Sequence, residues 1–130
     1  MLGLGLIGSA WAKNLMADGH ALRCWNRTPK DFPNFCPSIE EAVSQAQVIF
    51  IVVSDPPAVQ AVLSQVDSTL RSEHLVIQSS TISPQWTLRF AEQVHRRGAR
   101  FLEAPFTGSL PAAQQRQTVF YRKRPANCIW

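Results

Sequence analysis

The sequence predicts an α/β fold: a doubly wound parallel sheet with helices on both faces. Three observations carry that expectation. A glycine-spaced turn, Leu2-Gly3-Leu4-Gly5-Leu6-Ile7-Gly8, opens the chain and runs into a helical pattern. Continuous apolar runs, Val48–Val53 and Leu75–Gln78, read as strands covered on both faces. Helical and strand-like stretches alternate along the chain, as βαβ units require.

The turn comes first. Gly3, Gly5 and Gly8 have the G-x-G-x-x-G spacing of a dinucleotide-binding turn. Gly3 permits the tight turn off a strand, Gly5 lets the backbone approach a pyrophosphate, and Gly8 lets the following helix pack closely. Phosphates then sit at the helix N-terminus, where free N–H groups and the dipole favour negative charge. Leu6, Ile7, Ala10, Leu15 and Met16 continue the apolar pattern to Gly19, a C-terminal stop. Ala21–Trp25 reads as the next strand. Only Met1 and Leu2 precede Gly3, although the strand at that place lies in the middle of such a sheet. The expectation is therefore a Rossmann-like sheet whose first strand is largely missing, with the true start upstream or the sheet damaged at its centre.

Asn26-Arg27-Thr28-Pro29-Lys30 follows the second strand. An acidic residue about 20 residues past the turn would take a ribose 2′-hydroxyl. Asn26 stands there instead, with Arg27 beside it. A guanidinium can pair with a 2′-phosphate and stack on adenine, so the expected cofactor is NADP(H) in preference to NAD(H). A loop marked by Pro33 and Pro37 leads to a capping box, Ser38-Ile39-Glu40-Glu41, and a helix to about Ala46. After the Val48–Val53 strand, Asp55 and Pro56 mark a helix start. Leu75–Gln78 ends in Ser79-Ser80-Thr81, and Ser83-Pro84 opens the longest helix, with Arg96 and Arg97 before Gly98. Arg100–Ala104 is a further strand, a short helix follows Pro111, and Thr118–Tyr121 is the expected final strand. Asn26-Arg27-Thr28, Ser54, Ser79-Ser80-Thr81 and Thr107-Gly108-Ser109 all follow the carboxyl ends of strands, the edge where ligands bind in these sheets.

The totals narrow the class. At 130 residues the chain makes one domain, and 45% apolar with 17% charged content is that of a globular chain. No run reaches the length of a membrane span, so a cytoplasmic location is expected. Cys24, Cys36 and Cys128 are odd in number and lack ligand-like spacing, and read as free thiols. His20, His74 and His95 are scattered, which points to solvated surface rather than a metal site. The net charge of +4 suits an anionic cofactor without deciding for it.

Taken together, GLGLIGSAWAKNL, CWNRTP, VIFIVVSDPPAVQAVL, VIQSSTISP and FLEAPFTGS resemble the β-hydroxyacid dehydrogenase family in the family's own order. That family includes 3-hydroxyisobutyrate dehydrogenases, glyoxylate/succinic semialdehyde reductases and imine reductases. The resemblance implies that Leu6 and Ile7 offer N–H groups to the pyrophosphate. Asn26, Arg27 and Thr28 would hold the adenosine 2′-phosphate. Val53 and Ser54 would border the adenosine and ribose region, and Ser80 and Thr81 the nicotinamide end. Thr107, Gly108 and Ser109 would position a small carboxylate substrate, in a loop that more usually reads A-P-V-S-G-G.

The resemblance covers residues 1–121, read as the NADP-binding domain, and stops at a basic tail, residues 122–130. The family's catalytic lysine sits on a helical second domain beyond the substrate loop. Lys123, Lys13 and Lys30 do not match it, so no catalytic residue is assigned. The expected chain is an incomplete oxidoreductase, inactive alone, which pairs as a homodimer or with a separate helical domain. The alternatives are a non-catalytic nucleotide-binding module and a decayed gene product. Nucleic-acid binding through Arg116, Arg122, Lys123 and Arg124 has weak support, because the tail lacks interleaved aromatics, and neither nucleic acid nor membrane is an expected partner.

Overall fold

The computed structural model describes residues 1–122. The basic tail, with Lys123, Arg124 and Cys128, lies outside them. A parallel sheet forms the centre, with strands β1 (Val48–Ile51), β2 (Leu75–Gln78) and β3 (Arg100–Glu103) adjacent in that order. Their register places Ile51 beside Gln78 and Gln78 beside Glu103, so the three strands end level. Single parallel bridges extend the sheet on the β1 side. Leu2 lies between Ile51 and Trp25, and Cys24 lies beside Phe35. The chain winds outward from Leu2 to Trp25 and Phe35, then returns to β1 on the other side. The direction of winding thus reverses between Leu2 and Ile51.

Among the described residues five α-helices cover the sheet: α1 (Leu6–Ala17), α2 (Ile39–Val43), α3 (Pro56–Val66), α4 (Pro84–Arg96) and α5 (Leu110–Gln114). Alternate strand residues serve opposite faces. Leu2, Ile49 and Ile51 join Ile39, Val43, Val59, Leu63, Phe90 and Val94 beneath α2, α3 and α4. Met1, Phe50 and Val52 join Leu4, Ala10, Trp11 and Ala113 beneath α1 and α5. Burial on both faces is why the β1 and β2 runs carry no polar alternation.

Local signals act where they stand. The Asp55 carboxylate accepts from the Ala58 N–H at 2.9 Å with Pro56 in the first turn. The Ser38 hydroxyl accepts from the Glu41 N–H at 3.2 Å, but α2 ends at Val43, short of Ala46. Gly19 takes a positive φ of 87° after α1.

Four expectations change. First, the Ala21–Trp25 strand shrinks to bridges at Cys24 and Trp25, because Ala21–Arg23 face a cleft instead of a neighbouring strand. Second, Met1–Leu4 are all buried, and Leu2 occupies the central position: its own N–H and carbonyl bond the β1 side, and the flanking Met1 carbonyl and Gly3 N–H bond Trp25 on the other. The first strand is short, yet the sheet is continuous through it. Third, the final strand leaves the parallel sheet: β5 (Val119–Phe120) pairs antiparallel with β4 (Phe106–Thr107). The five-residue α5 between them rises only about 7.5 Å, too little to carry the chain back along the sheet. Fourth, His74 is fully buried rather than solvated. It immediately precedes β2, and its carbonyl already accepts from the Arg100 N–H.

Candidate functional site

The site lies at the carboxyl edge of the sheet, where the winding reverses. Leu2 leaves the sheet into Gly3, whose φ of 106° bends the chain sharply. A Cβ at Gly3 would lie 2.0 Å from the Val52 carbonyl oxygen, so only glycine fits. Gly5 is the N-cap of α1, and a Cβ there meets nothing within 4 Å. A Cβ at Gly8 would lie 2.2 Å from the Gly3 carbonyl oxygen, so the first turn of α1 sits directly on the glycine turn. The α1 N-terminus has no side-chain cap and no acidic residue in its first turn. The Leu6, Ile7 and Gly8 N–H groups are thus the orphan donors of a helix start, beside open space at Gly5. That combination fits a dinucleotide pyrophosphate.

The Leu4 peptide is clamped from outside. Its N–H donates to the Asn26 carboxamide oxygen at 2.9 Å. Its carbonyl accepts from the Ser9 hydroxyl at 2.9 Å and from the Lys30 ammonium. Asn26 also donates to the Thr28 carbonyl at 2.8 Å. The Asn26 side chain thus joins two turns and spends its polar atoms on protein partners. Arg27 and Thr28 are exposed, and Arg27 makes no hydrogen bond or ion pair with the described residues. Its guanidinium is available beside the turn. The sequence does not mark Ser9 and Lys30 as members of this cluster. Lys30 stands three residues past Arg27 in the same loop, and nothing in that spacing shows that it folds back onto Leu4.

At the ends of β1 and β2 the backbone is held by side chains. The Ser80 hydroxyl accepts from the Val53 N–H at 3.0 Å. The Gln78 carboxamide donates to the Ser80 carbonyl at 3.0 Å and accepts from the Ser80 N–H. Gln78, Ser79 and Ser80 are buried, and the Ser79 hydroxyl has no partner among the described residues. Ser54 and Thr81 are exposed at the same edge.

Thr107, Gly108 and Ser109 are exposed and lie beyond β3, in and after β4. The Ser109 hydroxyl caps α5 by accepting from Ala112 at 3.4 Å, and the Thr107 and Tyr121 hydroxyls are 3.3 Å apart. Trp11 anchors this hairpin to α1. Its ring meets Phe50, Phe106 and Phe120 at 4.7–5.7 Å, and its indole N–H donates to Thr118 at 3.0 Å. Val119, Phe120 and Tyr121 remain about half exposed beside it.

Comparison with known proteins gives the site its context. Cytokine-like nuclear factor N-PAC of Danio rerio is 35% identical over 118 residues, an alignment that spans 83% of this chain and 26% of that protein. Glyoxylate/succinic semialdehyde reductase 1 of Arabidopsis thaliana is 28% identical over 128 residues, covering 91% of this chain and 44% of the reductase. The structure of Mycobacterium tuberculosis 3-hydroxyisobutyrate dehydrogenase with L-serine superposes with a TM-score of 0.90 at 26% identity, over 96% of this chain and 45% of that one. The chain therefore spans less than half the length of each. No helix among the described residues is long and apolar enough to cross a membrane. The dehydrogenase resemblance holds at the level of family and fold. The family pattern described as the NAD binding domain of 6-phosphogluconate dehydrogenase matches residues 1–121, and the chain belongs to that family.

Proposed function

We propose that the chain is the NADP(H)-binding domain of a cytoplasmic oxidoreductase acting on a small 3-hydroxyacid, aldehyde-acid or imine. The observation that carries this is the uncapped α1 N-terminus at a turn where Gly5 leaves open space, with an exposed Arg27 on the adjacent loop that has no partner among the described residues. Leu6, Ile7 and Gly8 would donate backbone N–H groups to the pyrophosphate. Arg27 and the Thr28 hydroxyl would take the 2′-phosphate, while Asn26 and Lys30 hold the Leu4 peptide that shapes the turn. Val53 and Ser54 would flank the ribose. Ser80 and Thr81 would border the nicotinamide, with the Ser80 backbone fixed by Gln78. Thr107, Gly108 and Ser109 would hold the substrate carboxylate. When bound, NADPH supplies a hydride to a carbonyl or imine carbon. By the family resemblance, the matching proton would come from a lysine on a helical domain.

The test is nucleotide affinity. NADPH should bind more tightly than NADH, and Arg27→Ala should weaken NADPH alone. A charge-assisted hydrogen bond contributes about 1.5–3 kcal/mol, or roughly 10–150-fold in Kd. Equal affinities in the unaltered chain, or equal loss of both cofactors in the variant, would refute the assignment. A second reading draws on the N-PAC likeness: a nucleotide-binding module that does no chemistry. N-PAC carries the name of a nuclear factor. NADPH binding with nuclear accumulation of the tagged chain, and no gain of turnover with any helical partner, would favour that reading.

A further inference from the structure

The β4–β5 hairpin has two faces, and its fold uses one of them. Phe106 lies opposite Phe120, and Thr107 lies opposite Val119. Directly opposed residues of an antiparallel pair share a face, and successive residues alternate between faces. The inner face therefore carries Phe106 and Phe120, whose rings meet Trp11 at 4.7 and 4.9 Å. The outer face carries Thr107 and Val119. Tyr121, two residues past Val119, returns to that outer face, and its N–H donates to the Pro105 carbonyl at 2.8 Å. Diagonal neighbours across a strand pair are within reach of long side chains. The Tyr121 phenol thus arrives 3.3 Å from the Thr107 hydroxyl.

The hydroxyl pair is loose. O–H···O bonds run about 2.5–3.0 Å, and this contact is longer. Neither hydroxyl has another partner among the described residues, and either can donate to the other. At least one O–H is therefore free to turn outward. Two adjacent donors that bond each other weakly suit a shared acceptor, and an ionised carboxylate is an acceptor with two oxygens. Ser109 is different, because its oxygen already accepts from the Ala112 N–H. Val119, directly opposite Thr107, is 54% exposed, so apolar surface adjoins the pair. The outer face holds Pro105, Thr107, Val119 and Tyr121, with no acidic residue to repel an anion.

We propose that Tyr121 is a second substrate-binding residue: Thr107 and Tyr121 each donate to one oxygen of a monocarboxylate whose alkyl carbons lie on Val119. This rests on the reading of Thr107 as a substrate residue and narrows it. A hydroxyacid or an aldehyde-acid gives the pair an anion, whereas an imine without an acid group does not. A polyhydroxylated acid would set hydroxyls against the Val119 methyls, where they find no hydrogen-bond partner.

The experiment titrates the nitrogen-15-labelled 130-residue chain with 3-hydroxybutyrate and with 3-hydroxybutyramide, with and without NADPH, and follows the backbone amide resonances. The acid should bind saturably and move the Thr107, Val119 and Tyr121 amides, and the uncharged amide should bind about tenfold more weakly. Tyr121→Phe keeps the ring and removes only the hydroxyl. It should weaken the acid about tenfold while melting temperature and NADPH affinity stay at the parent values. Thr107→Val should weaken the acid similarly, and Thr107→Ser, which keeps the hydroxyl, should restore it. Normal acid affinity in Tyr121→Phe with loss in Thr107→Val would overturn the proposal and leave Thr107 as a substrate residue. Absence of saturable acid binding, or equal affinity for acid and amide, would also overturn it. Failure of NADPH to bind would refute the nucleotide reading, while the titrations without NADPH still decide the role of Tyr121.

Discussion

The three glycines of the turn should fail in different ways, and the difference tests the site. At Gly8 an added methyl would lie 2.2 Å from the Gly3 carbonyl oxygen. That atom is backbone, so relief requires α1 to move off the turn. Overpacking costs about 1–3 kcal/mol, against a gain of up to about 1 kcal/mol from alanine's helix propensity. Gly3→Ala meets the Val52 carbonyl at 2.0 Å and adds the strain of φ 106°, so it should be worse. Gly5 has an ordinary φ of −67° and open space where the methyl would go. Its replacement by alanine should alter stability by under about 1 kcal/mol. At roughly 4 °C per kcal/mol for a chain of this size, Gly5→Ala should melt within a few degrees of the parent. Gly8→Ala and Gly3→Ala should melt clearly lower. NADPH titration should show the reverse emphasis: folded Gly5→Ala should lose at least tenfold in affinity, because its methyl projects into the space assigned to the pyrophosphate. A Gly5→Ala variant that binds NADPH normally would refute the phosphate assignment. A Gly8→Ala variant as stable as the parent would refute the packing account.

Other expectations follow from the same structure. Burial holds the His74 imidazole below its ordinary pKa of 6.5. The unfolded chain therefore takes up a proton first, and stability should fall as pH drops through about 6.5 and below, with the slope flattened in His74→Gln. Trp11→Ala removes the ring on which Phe50, Phe106 and Phe120 meet. A loss of about 3–5 kcal/mol is expected, with early hydrogen exchange across β4 and β5 ahead of β1 and β2. The 130 residues alone should bind NADPH without turning over glyoxylate, succinic semialdehyde or cyclic imines, since a positioned proton donor contributes about 10²–10⁴-fold. Turnover near 10 s⁻¹, a median for enzymes, would place a lysine of this chain at the reacting centre.

What the sequence by itself determined was local or periodic. The spacing of Gly3, Gly5 and Gly8 marks a turn because only glycine tolerates the bend and the close contacts. The apolar runs at Val48 and Leu75 mark covered strands because both faces must be dry. Asp55-Pro56 starts a helix within four residues of itself. Tertiary structure decided whatever depends on partners far along the chain. Leu2 is a central strand residue because Trp25 and Ile51 close on it from opposite sides, and no pattern around two residues can say so. Val119–Phe120 pairs with Phe106–Thr107 rather than with β3 because α5 is too short to cross the sheet. His74 is buried because its backbone is already bound to Arg100 at the head of β2. Asn26, Ser9 and Lys30 converge on the Leu4 peptide only after the turn and the following loop are packed together. A local signal needs only neighbouring residues to act. A long-range contact forms only when the whole sheet has closed.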